Sequence, residues 1–275
     1  RKRMSKETVF LFDCDNTLTP PRLPMDAEFA ERFGGWTDKN KFAIVSGGTL
    51  EQIREQIPDS ILMNAMFVFS CGGNEVYEWA RGLEPATMAS YNDFAPMLVH
   101  KNEFEPSQKL LDYLQYELKY CNWPGKKFDK HFEFRSGMLN FSILGREADQ
   151  QSREEYSKWN IQDGELTRLV NNLNNQFPDI EVVQGGQISV DIFPKGNDKG
   201  QILKYFDLDE YNFTFYGDKI HPNGNDYPLY LAIFNKECGT SIKVESWKET
   251  ESLLGLTPKK KAKKKDGFPF APEDV

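Results

Sequence analysis

The chain has 275 residues, 39% of them apolar and 28% charged, enough for one large domain or two modest ones with developed cores. Its 34 Lys and Arg against 42 Asp and Glu give a net charge of −8, which excludes a molecule built as a whole to attract nucleic acid or an anionic membrane. No apolar run approaches the length that spans a bilayer, and an enzyme of this charge acting on anionic substrates must gather its arginines locally.

In chain order, Thr8 to Phe12 is a short apolar run ending in Asp13-Cys14-Asp15-Asn16-Thr17. It follows Arg1 to Met4 and runs straight into acids, so it reads as a strand rather than a signal peptide. Lys41 to Val45 ends in Ser46-Gly47-Gly48 before a helical stretch, Leu50 to Gln56, and Met66 to Ser70 ends in Cys71-Gly72-Gly73. Strand, polar turn, helix, strand is the rhythm of a parallel α/β sheet, whose ligands collect past the carboxyl ends of the strands. Pro106 to Tyr120 reads as a helix with Leu110, Leu111, Leu114 and Leu118 inward, Phe132 to Ile143 and Ile180 to Phe193 as strand, and Gln162 to Phe177 as another helix. Tyr211 to Gly217 returns to an apolar strand ending in Asp218.

A Rossmann-like core over 1–85 and 194–256, interrupted by an α+β cap over 86–193, is the expected organisation. Lys259 to Lys265 holds six lysines in seven residues. It reads as a solvated, disordered tail over 257–275, or else as a nuclear-localisation or polyanion-binding segment. Cys14, Cys71, Cys121 and Cys238 are scattered without CxxC pairing, as in reduced, structural thiols of a cytoplasmic protein.

Asp13 and Asp15 carry the strongest chemical signal. A carboxylate at a strand end can attack phosphorus, and a second one two residues on can protonate the leaving oxygen and then deprotonate the incoming hydroxyl. Magnesium prefers such oxygens and offsets the repulsion between two anions. Ser46 with Gly47 and Gly48 can meet phosphate oxygens, Lys199 can neutralise phosphate and aspartate, and Asp218 can complete a metal set with Asp13 and Asp15, supported by Asn225 and Asp226. Each alone has a bland reading as a helix cap, a surface lysine or a loop acid; together, each past a strand, they point to phosphoryl transfer.

This order of motifs resembles the haloacid dehalogenase (HAD) superfamily. The run Glu133-Phe134-Arg135-Ser136-Gly137-Met138-Leu139-Asn140 leading to Gly145-Arg146 and Arg153, then Gly185 to Pro194 and Gly217 to Asp226, is similar to the eukaryotic-type phosphomannomutase family. A sugar bisphosphate needs a second cationic site, and Arg135, Arg146 and Arg153 suit phosphate through their planar forks. Ser189 and Asp191 alternate with Val190 and so share one strand face.

The resemblance further implies Arg22 and Asn140 as substrate contacts and Mg2+ with a hexose 1,6-bisphosphate activator. It also implies a hexose phosphate substrate, interconversion of mannose 6-phosphate and mannose 1-phosphate feeding GDP-mannose synthesis, and a homodimer joined through the cap. The sequence departs from the mutase pattern in having Ser46-Gly47-Gly48 where Gly-Gly-Ser is usual, Asn16 for a glycine, and no Asp-Pro-Arg stretch after Asp226. A sugar-phosphate phosphatase of the same superfamily uses the same core residues, and a catalytically silent sugar-phosphate sensor is the reading from another class.

Overall fold

The computed structural model describes residues 5–79 and 95–258; the lysine run and the first division between core and cap lie outside the described residues. The strands are β1 (Glu7–Phe12), β2 (Lys41–Val45), β3 (Val68–Ser70), β4 (Glu75–Trp79), β5 (Pro96–Lys101), β6 (Phe132–Arg135), β7 (Met138–Ser142), β8 (Ile180–Gln184), β9 (Ser189–Pro194), β10 (Tyr211–Gly217) and β11 (Gly239–Lys243). Seven of them form one sheet in the order β11-β10-β1-β2-β3-β4-β5, and the remaining four form a second, β6-β7-β9-β8. In the larger sheet the pairs from β11 through β3 are parallel, whereas β4 and β5 are added antiparallel.

The middle strands of the large sheet are apolar on both sides because both faces are covered, as parallel strands require. One face packs against α1 (Ala27–Thr37), α2 (Leu50–Gln56), α3 (Asp59–Leu62) and α8 (Trp247–Leu253). Phe29, Phe33 and Thr37 make the buried stripe of α1 at helical spacing, and Asp26 starts that helix by accepting from the amide of Phe29 at 2.9 Å. Val9, Leu11, Val45, Phe69, Phe213 and Phe215 fill the opposite face with α7 (Tyr227–Asn235) and a short 3-10 segment, Lys199–Tyr205.

The smaller sheet is antiparallel and carries its helices on one face. α4 (Gln108–Tyr120), α5 (Gln150–Asp163) and α6 (Glu165–Gln176) pack there around Leu114, Phe141, Tyr156, Leu169, Val190 and Ile192. Strand alternation sends the intervening residues to the other face. In the register Asn140 sits opposite Glu133 on one side and Asp191 on the other, so three polar side chains line up across three strands. That face, which also carries Met138, Val183 and Phe193 packed on Cys71, is turned toward the carboxyl ends of the large sheet.

The fold is thus the expected α/β class with an inserted α+β unit. Details differ. Phe132 to Ile143 is a hairpin, turned at Ser136-Gly137 with Gly137 at φ 64, and Ile180 to Phe193 is likewise two antiparallel strands. The helix expected from Gln162 begins at Glu165, because Gly164 at φ 76 closes α5 just before it. α5 itself has no clean apolar stripe and was invisible to periodicity. Among the described residues no helix is long and apolar enough to cross a membrane.

Candidate active site

Residue Asp13 follows β1 directly, and its amide still bonds to Tyr216 O at 3.0 Å, so the sheet itself fixes it. The chain then folds back tightly: the amides of Thr17, Leu18 and Thr19 all point at Cys14 O, at 2.9 to 3.1 Å. Asn16 at φ 58 makes this possible, and its Nδ2 donates to Asp218 Oδ2 at 3.0 Å, a bond no glycine could form. Asp15 turns the other way. Its Oδ1 accepts from Gln56 Nε2 at 2.6 Å and from the Arg22 amide at 2.9 Å, while Oδ2 has no hydrogen-bond partner among the described residues. Cys14, wedged between the two acids, has its thiol pushed well up by burial and then by the charges of Asp13 and Asp15, so it is inert as a nucleophile.

Lys199 Nζ lies 2.7 Å from Asp13 Oδ1 and 2.7 Å from Asp226 Oδ1, and all three are buried. Asp198 places the lysine by capping its 3-10 segment through the Gly200 amide at 2.7 Å. Oxygens of Asp13, Asp218 and Asp226 lie within 4.8 Å of one another. Asp15, expected as the third metal ligand, is not among these converging carboxylates; Asp226 is. Burial, then Asp226, raise the Asp13 carboxyl well above its usual range even though Lys199 pulls it down. Burial also lifts Asp218 to about 6. Burial alone would lower Lys199, but Asp13 and Asp226 outweigh it and keep the amine charged. Three acids against one lysine leave an excess of negative charge that a divalent cation fits.

One cleft runs from this acid cluster to the polar residues on the inner face of the smaller sheet. Its walls include Asp13, Asp15, Arg22, Ser46, Gly47, Arg135, Asn140, Arg146, Arg153, Ser189, Asp191 and Asp218, while Lys199 and Asp226, also singled out from sequence, pair with each other behind Asp13. Ser46 Oγ accepts from the Gly48 amide at 3.1 Å. Asn140 Nδ2 donates to Ser189 Oγ at 3.0 Å and Asp191 Oδ1 at 2.8 Å, while its Oδ1 accepts from Arg146 Nη1 at 2.6 Å. Arg135 Nη1 reaches across to Gly47 O. Arg153 is tied to the carbonyls of Ala148 and Arg146. Burial, then Arg135, bring Arg146 down to about 10, and burial and Arg22 lower Arg153. Crowded and dried beside the one carboxylate of Glu133, such arginines suit a further anion.

A sequence model of the eukaryotic phosphomannomutase family matches residues 30–255. The chain belongs to that family. Phosphomannomutase 2 of Dictyostelium discoideum is 31% identical over 228 residues, covering 82% of this chain and 87% of the relative. The phosphomannomutase of Galdieria sulphuraria is 34% identical over 236 residues, 83% of this chain and 88% of its own. Among solved structures, an N-terminally truncated, IMP-bound IMP-nucleotidase of Plasmodium falciparum matches with a TM-score of 0.54 at 13% identity, over 91% of this chain and 68% of that one; the likeness is one of fold. The match to the family model begins after the Asp13 loop and so does not cover Asp13 or Asp15.

Sequence reasoning passed over Gln52, Gln56 and Glu133 as site residues. Gln52 is the third residue of α2 in a capping box with Thr49, a signal that reads as helix start. Gln56 gives no signal at all. Glu133 was legible in principle, since it alternates with Arg135 on β6 and so shares its face.

Proposed function

We propose that this chain is a phosphomannomutase, interconverting mannose 6-phosphate and mannose 1-phosphate through an aspartyl phosphate on Asp13 and a hexose 1,6-bisphosphate. One observation carries this reading: a single cleft with two differently built ends, buried acids and Lys199 on one sheet and clustered guanidiniums on the other. A phosphatase needs only the first end. A substrate with two phosphates needs both.

In this reading an Asp13 oxygen attacks phosphorus of the bisphosphate and the bond to the sugar oxygen breaks. Asp15, through its unpaired Oδ2, gives the departing oxygen a proton. The resulting monophosphate leaves and mannose 1-phosphate takes its place. Asp15 takes the proton of that sugar's free 6-hydroxyl, whose oxygen attacks the phosphoryl group, freeing Asp13 and forming a bisphosphate. That bisphosphate turns end for end in the cleft, so the next transfer to Asp13 removes the 1-phosphate and leaves mannose 6-phosphate. Ser46 Oγ and the amides of Gly47 and Gly48 cradle the group in transfer, and Lys199 holds Asp13 in place. Arg22, Arg135, Arg146 and Arg153 hold the phosphate not being transferred, while Asn140, Ser189 and Asp191 meet sugar hydroxyls. Asp13 and Asp218, with Asp226 beside them, fit a Mg2+ ion, which supplies charge that restores both carboxylates and offsets the phosphate anion. Closure of the smaller sheet over the cleft excludes water, the competing nucleophile.

The exposed Tyr116 and Tyr120 on α4 support the outer helical face of the smaller sheet as the surface of a homodimer. Four cysteines free of disulfides suit a cytoplasmic enzyme serving GDP-mannose synthesis. Phosphorus NMR tests the activity, with mannose 1-phosphate, Mg2+ and a trace of glucose 1,6-bisphosphate. Mannose 6-phosphate should accumulate, depend on the bisphosphate and be absent with Asp13→Asn. Inorganic phosphate as the main product would make the chain a phosphatase instead.

A further inference from the structure

Glu133 is a carboxylate set among arginines. Its side chain is only 11% exposed, and both oxygens are engaged. Oε2 accepts from Arg135 Nη2 at 3.1 Å and from Arg146 Nε, and Oε1 accepts from Gln52 Nε2 at 3.0 Å, on the far wall of the cleft. Its two partner arginines are buried, and their mutual repulsion is part of what lowers Arg146. Arg135 also keeps a buried Nε with no hydrogen-bond partner in the protein. Without an anion between them, two desolvated guanidiniums would be driven apart. Burial alone would raise the Glu133 carboxyl, but Arg135 and Arg146 outweigh it and keep it ionised.

We propose that Glu133 is the positioning residue of the second phosphate site: it bridges Arg135 and Arg146 into one unit and, through Gln52, sets how far that unit stands from the phosphate loop at Ser46-Gly47-Gly48. The assignment rests on the reading of the arginine end as a phosphate site. Arg22, Arg135, Arg146 and Arg153 bring four positive charges and Glu133 one negative, 4 − 1 = +3, a positive excess that a phosphate dianion offsets. The phosphate held there does not react, so it is bound equally in ground and transition states. Disordering its arginines must then raise KM and leave kcat in place.

The test is the isosteric variant Glu133→Gln, assayed with mannose 1-phosphate and, separately, with p-nitrophenyl phosphate, whose single phosphate needs the Asp13 end alone. Loss of the charge-assisted bonds should raise KM for mannose 1-phosphate about tenfold, with kcat within about twofold and p-nitrophenyl phosphate hydrolysis maintained. An unchanged KM, or a loss shared by both substrates, would overturn the assignment. If the wild-type protein only releases inorganic phosphate, the mutase reading fails, and the KM shift of Glu133→Gln in that hydrolysis still decides the role of Glu133. Should Glu133→Gln not fold, Gln52→Leu removes the anchor on the other wall and should raise the same KM about threefold; an unchanged KM there is equally decisive against it.

Discussion

Lys199 and Asp13 meet at 2.7 Å although 186 residues separate them, and the same ammonium is shared with Asp226. Neither acid is exposed enough for water to replace it. Lys199→Met should therefore strand two buried carboxyls, at a cost of about 3 kcal/mol in the metal-free protein. Urea denaturation with EDTA, repeated with Mg2+, checks this: the deficit should shrink when the cation is supplied, while turnover stays abolished in both.

Gly47, just past β2, meets the smaller sheet across the cleft. A Cβ built on it would stand 3.0 Å from Asp191 Oδ2 and 3.6 Å from Asn225 Nδ2. Gly47→Ala should push the Asp191 carboxylate aside and lower turnover by about 10- to 100-fold, since displacements on the ångström scale have that effect on catalysis. Its melting temperature should stay close to wild type, because the strain falls on a side chain and not on the core. A melt and a rate measurement on the same preparation separate the two.

The hairpin tip at Gly137 should behave in the opposite way. Its φ of 64 disfavours any side chain, and a Cβ there would come within 2.7 Å of Asn74 Cβ. Asn74 is buried and donates to the carbonyls of Cys71 at 2.8 Å and Asn197 at 3.1 Å, so it cannot step back freely. Gly137→Ala should cost about 2 kcal/mol of stability, read as a shift in the denaturation midpoint.

Glu181, on β8, faces Asp198 next to Lys199. Burial, and then the charge of Asp198, lift its carboxyl to about 7, with Lys195 pulling the other way. The folded state therefore holds this proton more tightly than the unfolded chain, whose glutamate titrates near 4.3. The sign follows: this contribution to stability is present at low pH and fades as pH rises from the unfolded value through about 7. Glu181→Gln should flatten the stability profile over that window, measured by denaturation at several pH values with Asp198 intact.

Strand ends were the most legible part of this molecule. Asp13, Ser46 and Asp218 each follow an apolar run, and parallel sheets gather such residues at one edge, so their convergence could be inferred without any distance. The inner face of the smaller sheet was half legible. Ser189 and Asp191 follow from alternation, but their pairing with Asn140 depends on strand register, which no single strand reveals. Asp226 was seen only as support for Asp218, because its place beside Lys199 comes from a buried turn and not from periodicity. Residues 18–40 gave no confident element, yet α1 lies there, with Gly34-Gly35 inside it where glycine argues against helix.

The order of strands in the large sheet also has a consequence for how the polypeptide acquires its shape. β1 is flanked by β2 and β10, and Phe12 lies opposite Tyr216, so one neighbour is within 40 residues and the other roughly 200 away. A ribosome that has released β1 to β5 has made a sheet with an unpaired inner edge, bearing the Asp13 loop. The four-stranded sheet, built entirely from residues 132–194, has all its partners sooner. The inserted unit can therefore settle while the surrounding one still waits for its last third. Asp13 and its partners Lys199 and Asp218, the latter two in that last third, come together only when synthesis is nearly complete.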